Sequence, residues 1–136
     1  MTIVPGRYRI KNHASWTTLD ESGGGGGAIS GWTQNDGDNQ HWDVNIGEDG
    51  TYTIRNAASG SSLFADGAYD GSKVSASGER VGWHVEQHDE GWAYIIYPGS
   101  GHVVDLDNGN AEDGTSVNLW GRNDESKQQQ WFFEGL

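Results

Sequence analysis

The chain has 136 residues, which is enough for one domain whose buried core needs no covalent cross-links. It contains no cysteine, so disulfides, zinc–thiolate sites and thiol nucleophiles are excluded. Eight basic residues against 20 acidic ones give a formal net charge of -12. Nucleic acids and anionic membrane surfaces both require a basic face, so we expect a neutral or cationic partner instead.

The N-terminal residues carry no targeting signal. Met1 to Gly6 contain neither the basic region nor the apolar stretch of a signal peptide, and no apolar run approaches membrane-spanning length. No Asn-x-Ser/Thr sequon occurs in the chain. These features predict a cytoplasmic protein without membrane insertion.

One sequence pattern occurs three times along the chain. Each copy opens with an aromatic residue followed by alternating aliphatic residues, and each copy closes with a tryptophan. The opening stretches begin at Tyr8, Tyr52 and Tyr94, and the closing ones begin at Trp42, Trp83 and Trp131. We place the repeats at residues 1–47, 48–88 and 89–136 of a single domain.

Each repeat is predicted to contain four short strands. The apolar residues alternate with a period of two, which is typical of strands, and helical periodicity is almost absent. Turn signals such as Asp70-Gly71, Asn108-Gly109 and Asp113-Gly114 separate the alternating stretches. The three repeats therefore predict an all-β chain of twelve short strands.

A unit of this size cannot bury an apolar face by itself, so the three repeats must share one core. A closed barrel with pseudo-threefold symmetry meets this need and leaves few exposed sheet edges. A three-bladed propeller is geometrically implausible, and separate modules of one repeat each would be too small. We therefore predict a β-trefoil. Its core takes one matched set from each repeat: Tyr8, Tyr52 and Tyr94; Ile10, Ile54 and Ile96; Leu19, Leu63 and Val104; Ile29, Val74 and Val117; Trp42, Trp83 and Trp131.

Two motifs suggest ion sites at first and are better explained otherwise. The run Gly23 to Gly27 lacks the preceding strand and following helix of a phosphate-binding loop, so we interpret it as a loop tip. The run Asp105 to Gly109 lacks the glycine position and the terminal glutamate of a calcium loop. We expect neither a metal nor another cofactor.

Two repeats end in Gln-x-Trp, at Gln40-His41-Trp42 and Gln129-Gln130-Trp131, whereas the middle repeat has Val81-Gly82-Trp83. Together with the threefold pattern, this motif resembles the ricin B-chain type lectin family over nearly the whole chain. The opening Pro5-Gly6-x-Tyr8-x-Ile10-x-Asn12, without cysteine or signal peptide, is similar to the cytoplasmic lectins of mushroom fruiting bodies.

The resemblance implies a sugar site within one repeat, built from an early aspartate, a later aromatic platform, a polar residue two positions before it and an Asn/Gln pair. The matching residues are Asp20, Ser30, Trp32, Asn39 and Gln40 in the first repeat, and Asp105, Asn118, Trp120, Gln128 and Gln129 in the third. The middle repeat has Phe64, Ser77 and Arg80-Val81 instead, while its core residues remain. We therefore predict two sites and one structural repeat.

Each residue type also has a structural alternative. The platform tryptophans (Trp32 and Trp120) could be core residues, but the equivalent position holds Ser77, which a core would not readily accept. The site aspartates (Asp20 and Asp105) could only form turns; we favour binding. For the two glutamines before the closing tryptophans, binding and backbone support are equally favoured.

The function expected from these residues is a non-enzymatic lectin for galactose- or GalNAc-containing glycans. A carboxylate beside carboxamides can satisfy several hydroxyls, and an exposed indole can stack on the apolar face of galactose. Agglutination and defence follow from the resemblance alone. The main alternative is a β-trefoil protease inhibitor that acts through its loops, and a glycosidase is a weaker third. The oligomeric state stays open between monomer and homodimer.

Overall fold

The computed structural model describes residues 3–22 and 27–136, so Gly23 to Gly26 of the predicted loop tip lie outside the described residues. The described residues form twelve strands, as the repeats predict. The strands are β1 Gly6–Asn12, β2 Thr18–Glu21, β3 Ile29–Trp32, β4 His41–Ile46, β5 Tyr52–Asn56, β6 Ser62–Phe64, β7 Ser75–Ser77, β8 His84–Gln87, β9 Trp92–Ile96, β10 His102–Leu106, β11 Thr115–Gly121 and β12 Trp131–Gly135. Short 3-10 turns cover Asp38–Gln40, Asp107–Gly109 and Lys127–Gln129. No helix in the described part of the chain is long and apolar enough to cross a membrane.

Six of the strands close into a ring, and the other six form hairpins beside it. The ring runs through β1, β4, β5, β8, β9 and β12 and closes where β12 pairs with β1. The hairpins are β2–β3, β6–β7 and β10–β11, one from each repeat. This arrangement is a β-trefoil, and the closed ring leaves no free edge on its six strands.

The closing tryptophans connect the ring to the hairpins. Trp42, Trp83 and Trp131 are fully buried, and each indole Nε1–H donates to a backbone carbonyl of its own repeat. The acceptors are the carbonyls of Leu19 at 3.0 Å, Leu63 at 2.9 Å and Val104 at 3.0 Å. Because a buried indole N–H needs a partner, the same bond recurs in all three repeats and fixes the start of each hairpin.

The predicted core is confirmed except in β9, where the expected register is shifted by one residue. Lys11 pairs with Thr18 and Arg55 with Ser62, and the equivalent pair in the third repeat is Ile96 with Val103.

Ile95, rather than Ile96, therefore joins the core cluster, and Ala93 takes the position of the earlier tyrosines. Tyr94 is buried outside that cluster, beneath the guanidinium of Arg122. The prediction was wrong here because both faces of β9 carry apolar residues, so a period of two does not select one face.

Candidate functional site

The first candidate site lies on the β2–β3 hairpin. Asp20 is 4% exposed and lies in β2 opposite Ser30 of β3, while Trp32 at the end of β3 is 39% exposed. Side chains of opposite residues, and of residues two apart on one strand, share a face of the sheet. The three side chains therefore meet at a cavity of about 250 Å³, whose other lining residues are Ser22, Ala28, Asn35 and Asn39.

The carboxylate of Asp20 is held by the predicted carboxamide pair. Gln40 Nε2 donates to Asp20 Oδ2 at 2.8 Å, and Asn39 Nδ2 donates to the same oxygen at 3.3 Å. Among the described residues, Oδ1 of Asp20 accepts no hydrogen bond. One carboxylate oxygen is therefore fixed by the protein, and the other is free to accept a hydrogen bond from a ligand.

The second candidate site repeats this geometry on the β10–β11 hairpin. Asp105 is 6% exposed and lies opposite Asn118, and Trp120 near the end of β11 is 50% exposed. Gln129 Nε2 donates to Asp105 Oδ2 at 2.9 Å, and Gln128 Nε2 lies 3.2 Å from Oδ1. The cavity here is about 240 Å³, and Asn118 is not among its lining residues.

The loop after β10 supplies a wall of the second site. Asp107 and Asn108 lie in a 3-10 turn and line the cavity together with Asp105, Trp120 and Gln128. Within residues 3–22 and 27–136, no group of three or more His, Asp or Glu side chains is placed to hold a metal ion. The loop thus adds a carboxylate and a carboxamide to the cavity lining.

Gln40 and Gln129 are buried and line neither cavity. The side-chain amide of Gln40 bonds the carbonyl of Thr33 at 3.0 Å and the N–H of Asn35 at 2.8 Å. Gln129 makes the matching bonds to Gly121 at 3.0 Å and Asn123 at 2.8 Å. Their geometry is that of residues that orient a carboxylate and hold the chain after the platform tryptophan.

The middle repeat keeps the backbone register and lacks these side chains. Phe64 stands opposite Ser75 where the site aspartates stand opposite Ser30 and Asn118, and Ser77 takes the register of the platform tryptophans. Arg80 is exposed at the position of the first carboxamide. This hairpin therefore has no carboxylate at the register of the site aspartates and no aromatic ring at the register of the platform tryptophans.

Two asparagines missed in the sequence support the carboxamide pairs. Asn12 at the end of β1 donates from Nδ2 to the carbonyl of Gln128 at 2.9 Å. Asn56 at the end of β5 donates to the carbonyl of Asn39, also at 2.9 Å. Each asparagine thus supports the site of the preceding repeat around the ring, and the third repeat has Tyr97 at this position. The shared phrase Ile-Lys/Arg-Asn, which β9 lacks, was the signal available in the sequence.

Both site aspartates are electrostatically perturbed. Burial raises the pKa of Asp20 above the usual range for aspartate, and the hydrogen bond from Gln40 lowers it in part. Burial likewise raises the pKa of Asp105, against the hydrogen bonds from Gln129 and Gln128. The carboxylates are thus partly desolvated, and a hydrogen bond made to a carboxylate in such surroundings is stronger than one made in water.

Sequence comparison identifies a family for nearly the whole chain. The chain matches the ricin-type beta-trefoil lectin domain-like family over residues 2–82 and 48–120, two overlapping segments that together exceed half of its length. No curated protein matches the chain by sequence.

Solved structures with the same fold include two fungal lectins. The ricin B-like lectin of Macrolepiota procera in complex with lactose has 29% identity and a TM-score of 0.91, covering 100% of this chain and 99% of that chain. The Rhizoctonia solani agglutinin has 27% identity and a TM-score of 0.91, with 100% and 99% coverage. A proteinase inhibitor from Coprinopsis cinerea shares the fold at 15% identity, with a TM-score of 0.77 and 99% and 100% coverage. From the sequence match and the β-trefoil architecture, the chain belongs to the ricin-type β-trefoil lectin-like domain family.

Proposed function

We propose that this chain is a non-enzymatic lectin that binds galactose- or GalNAc-containing glycans at two sites. The first site is built on Asp20 and Trp32, and the second on Asp105 and Trp120. One observation carries the proposal: a buried carboxylate held by carboxamides, with an exposed tryptophan on the paired strand, occurs twice. In the middle repeat the core is kept while these side chains are replaced.

The chemistry of the two sites fits a galactose ring. An ionised carboxylate accepts hydrogen bonds, so Asp20 or Asp105 can take the O3 and O4 hydroxyls of one sugar. The axial O4 of galactose leaves C3 to C6 as a continuous apolar face, which suits stacking on Trp32 or Trp120. Asn39 and Gln128 carry amide groups beside the carboxylates and can donate to the same hydroxyls.

A similar fold with a bound galactoside supports this choice of sugar. The Macrolepiota procera lectin, at 29% identity over the full chain, was solved in complex with lactose. The Rhizoctonia solani protein of similar fold is an agglutinin, which supports a role in cross-linking glycans. The two cavities are small, about 250 Å³ and 240 Å³, so we expect weak binding at each site alone.

The proposal is tested with a glycan array and lactose calorimetry on the wild type, Asp20→Ala, Asp105→Ala and the double variant. We expect each single variant to retain one site of two, and the double variant to bind nothing. Ser77→Ala is the matched control. It substitutes the residue of the middle repeat that is equivalent to the platform tryptophans, and it should leave binding intact. A wild type that binds no glycan contradicts the lectin proposal, and loss of all binding in Asp105→Ala alone contradicts two sites.

Two enzyme assays, of protease inhibition and of galactoside hydrolysis, separate the alternatives. Protease inhibition that survives Trp120→Ala, without glycan binding, would favour an inhibitor. A glycosidase needs an acid and a second carboxylate on the two sides of the bond that it cleaves, whereas Asp20 is the single acidic residue among those lining the first cavity. We therefore expect no hydrolysis of galactosides at the first site. Asp105 and Asp107 both line the second cavity, and hydrolysis that is lost in Asp107→Ala would favour a glycosidase there.

A further inference from the structure

Each platform tryptophan is held by an Asp-Gly pair from a different repeat. The pairs are Asp113-Gly114, beside Trp32, and Asp70-Gly71, beside Trp120, and we call each of them an Asp-Gly clamp. In both cases the aspartate bonds the residue that follows the tryptophan, and the glycine bonds the residue that precedes it. The clamps therefore fix the backbone on both sides of the exposed ring.

At the first site, the clamp comes from the third repeat. Asp113 Oδ1 accepts hydrogen bonds from the Thr33 backbone N–H and from Thr33 Oγ1, both at 2.7 Å. Gly114 N–H donates to the carbonyl of Gly31 at 2.9 Å. A Cβ atom at Gly114 would lie 3.8 Å from Cζ3 of Trp32, so the clamp also runs along the edge of the indole.

At the second site, the clamp comes from the middle repeat. Asp70 Oδ1 accepts a hydrogen bond from Gly121 N–H at 2.8 Å and lies 3.2 Å from His102 Nε2. Gly71 N–H donates to the carbonyl of Leu119 at 2.8 Å. A Cβ at Gly71 would lie 4.0 Å from Cζ3 of Trp120. The middle repeat, which has no site of its own, therefore contributes to the site of the third.

The glycine in each clamp is required by the backbone. Gly71 has φ 86° and Gly114 has φ 88°, a left-handed conformation that other residues rarely adopt. The aspartate beside each glycine carries the carboxylate that reaches across to the neighbouring hairpin. The Asp-Gly sequence thus serves both the turn and the contact between repeats.

The first repeat has no aspartate at the position equivalent to Asp70 and Asp113, and the hairpin that such an aspartate would serve has no platform tryptophan. Asp70 and Asp113 each lie seven residues before the platform position of their own repeat, and the counterpart in the first repeat is Gly25. The hairpin that the first repeat would serve is β6–β7, since Gly27 accepts a hydrogen bond from Ala76 N–H at 2.8 Å. That hairpin carries Ser77 at the platform register.

We propose that Asp113 and Asp70 are positioning residues for glycan binding, each setting the platform tryptophan of another repeat; this inference rests on the lectin function proposed above. Trp32 and Trp120 lie near the ends of strands and are half exposed, so little side-chain packing holds them. A ring fixed before the ligand arrives loses less conformational freedom on binding. The clamp residues line neither cavity, so they act on the ring from outside the proposed sugar sites.

The test measures lactose binding by calorimetry in two backgrounds that each retain one proposed site. In the Asp20→Ala background, where the Trp120 site remains, we expect Asp70→Ala to weaken binding by about 10-fold and Asp113→Ala to change it little. In the Asp105→Ala background, where the Trp32 site remains, Asp113→Ala should weaken binding and Asp70→Ala should change it little. Asp70→Asn and Asp113→Asn keep an acceptor oxygen and should restore most of the affinity.

A readout without ligand distinguishes this inference from the lectin proposal. In nitrogen-15 relaxation, Asp70→Ala should increase the mobility of the Trp120 indole N–H and leave that of Trp32 unchanged, with Asp113→Ala giving the reverse. Equal weakening of both sites by either variant, or unchanged indole mobility, would overturn the positioning role. Absence of lactose binding in the wild type would instead overturn the lectin function, and with it the role in binding, while the relaxation data still report whether the clamps hold the rings.

Discussion

Asp20 and Asp105, the aspartates of the two proposed sites, occupy positions that are unfavourable for a charged side chain. Both are nearly buried, and burial raises their pKa because a desolvated carboxylate is less stable in its charged form. In each case the amides that bond the carboxylate offset only part of this cost. Residues that bind ligands commonly carry such a penalty, since function rather than stability selects them.

This conflict predicts that acid removes binding before it removes the fold. Between the unfolded pKa and the raised folded pKa, the folded chain binds more protons at Asp20 and Asp105, so these two groups make the fold more stable as the pH falls. The ionised form is the one that accepts sugar hydroxyls, so lactose affinity should fall as the pH is lowered through the raised pKa.

The measurement is calorimetric lactose binding beside thermal unfolding, from about pH 7 to about pH 4, the latter close to the pKa of free aspartate. The pKa of an aspartate that is paired with an arginine shifts in the opposite direction. The guanidinium of Arg9 lowers the pKa of Asp36 to about 2, so the stability that this pair contributes is lost only as the pH falls below the unfolded value and towards about 2. Unfolding that begins at the same pH as the loss of lactose binding would contradict the prediction.

At the scale of strands, each site is completed by elements of other repeats. The ends of β1 and β5 place Asn12 and Asn56 beneath the carboxamide pairs of the third and first repeats. The turns before β7 and β11 place the Asp-Gly clamps beside the platform tryptophans. A hairpin alone would present the right side chains without the bonds that orient them.

Asn56→Ala tests this dependence. The Asn56 side chain is buried, donates to the Asn39 carbonyl at 2.9 Å and accepts from the Ala58 N–H at 3.0 Å. Its removal leaves buried groups unpaired, so we expect a loss of about 1–3 kcal/mol in the free energy of unfolding, measured by urea denaturation.

Lactose binding to Asn56→Ala adds the site-specific readout. Affinity should fall at the Asp20 site and persist at the Asp105 site, as measured in the two single-site backgrounds. Asn12→Ala is the matched control and should show the reverse preference, because its partner is Gln128. A loss shared equally by both sites would mean that the asparagines act only on global stability.

For the whole molecule, the trefoil places the two proposed sites on separate hairpins beside one closed ring. Two weak sites on one body can engage a surface rich in glycans with an effective affinity about 10²–10⁴-fold above that of one site. In the proposed function, the threefold frame therefore needs a site in only two of its repeats to be bivalent.

Bivalency predicts that agglutination and sugar binding respond differently to mutation. Asp20→Ala and Asp105→Ala should each still bind lactose at one site, while the concentration needed to agglutinate galactose-bearing cells rises by about 100-fold or more. Haemagglutination titres beside calorimetry make this comparison. Unchanged agglutination by both variants would point to cross-linking through a dimer of the chain instead.

Much of the fold and of the candidate site could be predicted from local sequence. The threefold phrase predicted the trefoil, and the replacements at Phe64, Ser77 and Arg80 singled out the repeat whose hairpin lacks the aspartate and the tryptophan of the candidate sites. The register of β9 could not be predicted, because Tyr94, Ile95 and Ile96 give apolar side chains on both faces. Only pairing with β8 and β12 selects Ile95 for the core.

By itself, the sequence determined the repeat, the strands and the side chains that make up each hairpin, because alternation and turn signals depend on neighbouring residues. The tertiary structure alone decided which repeat supports which site. Thr33 and Asp113 are 80 residues apart, and Asn12 and Gln128 are 116 apart. No local pattern encodes such pairs; they meet because closing the ring brings the end of the chain beside its beginning, where their hydrogen bonds hold the sites in place.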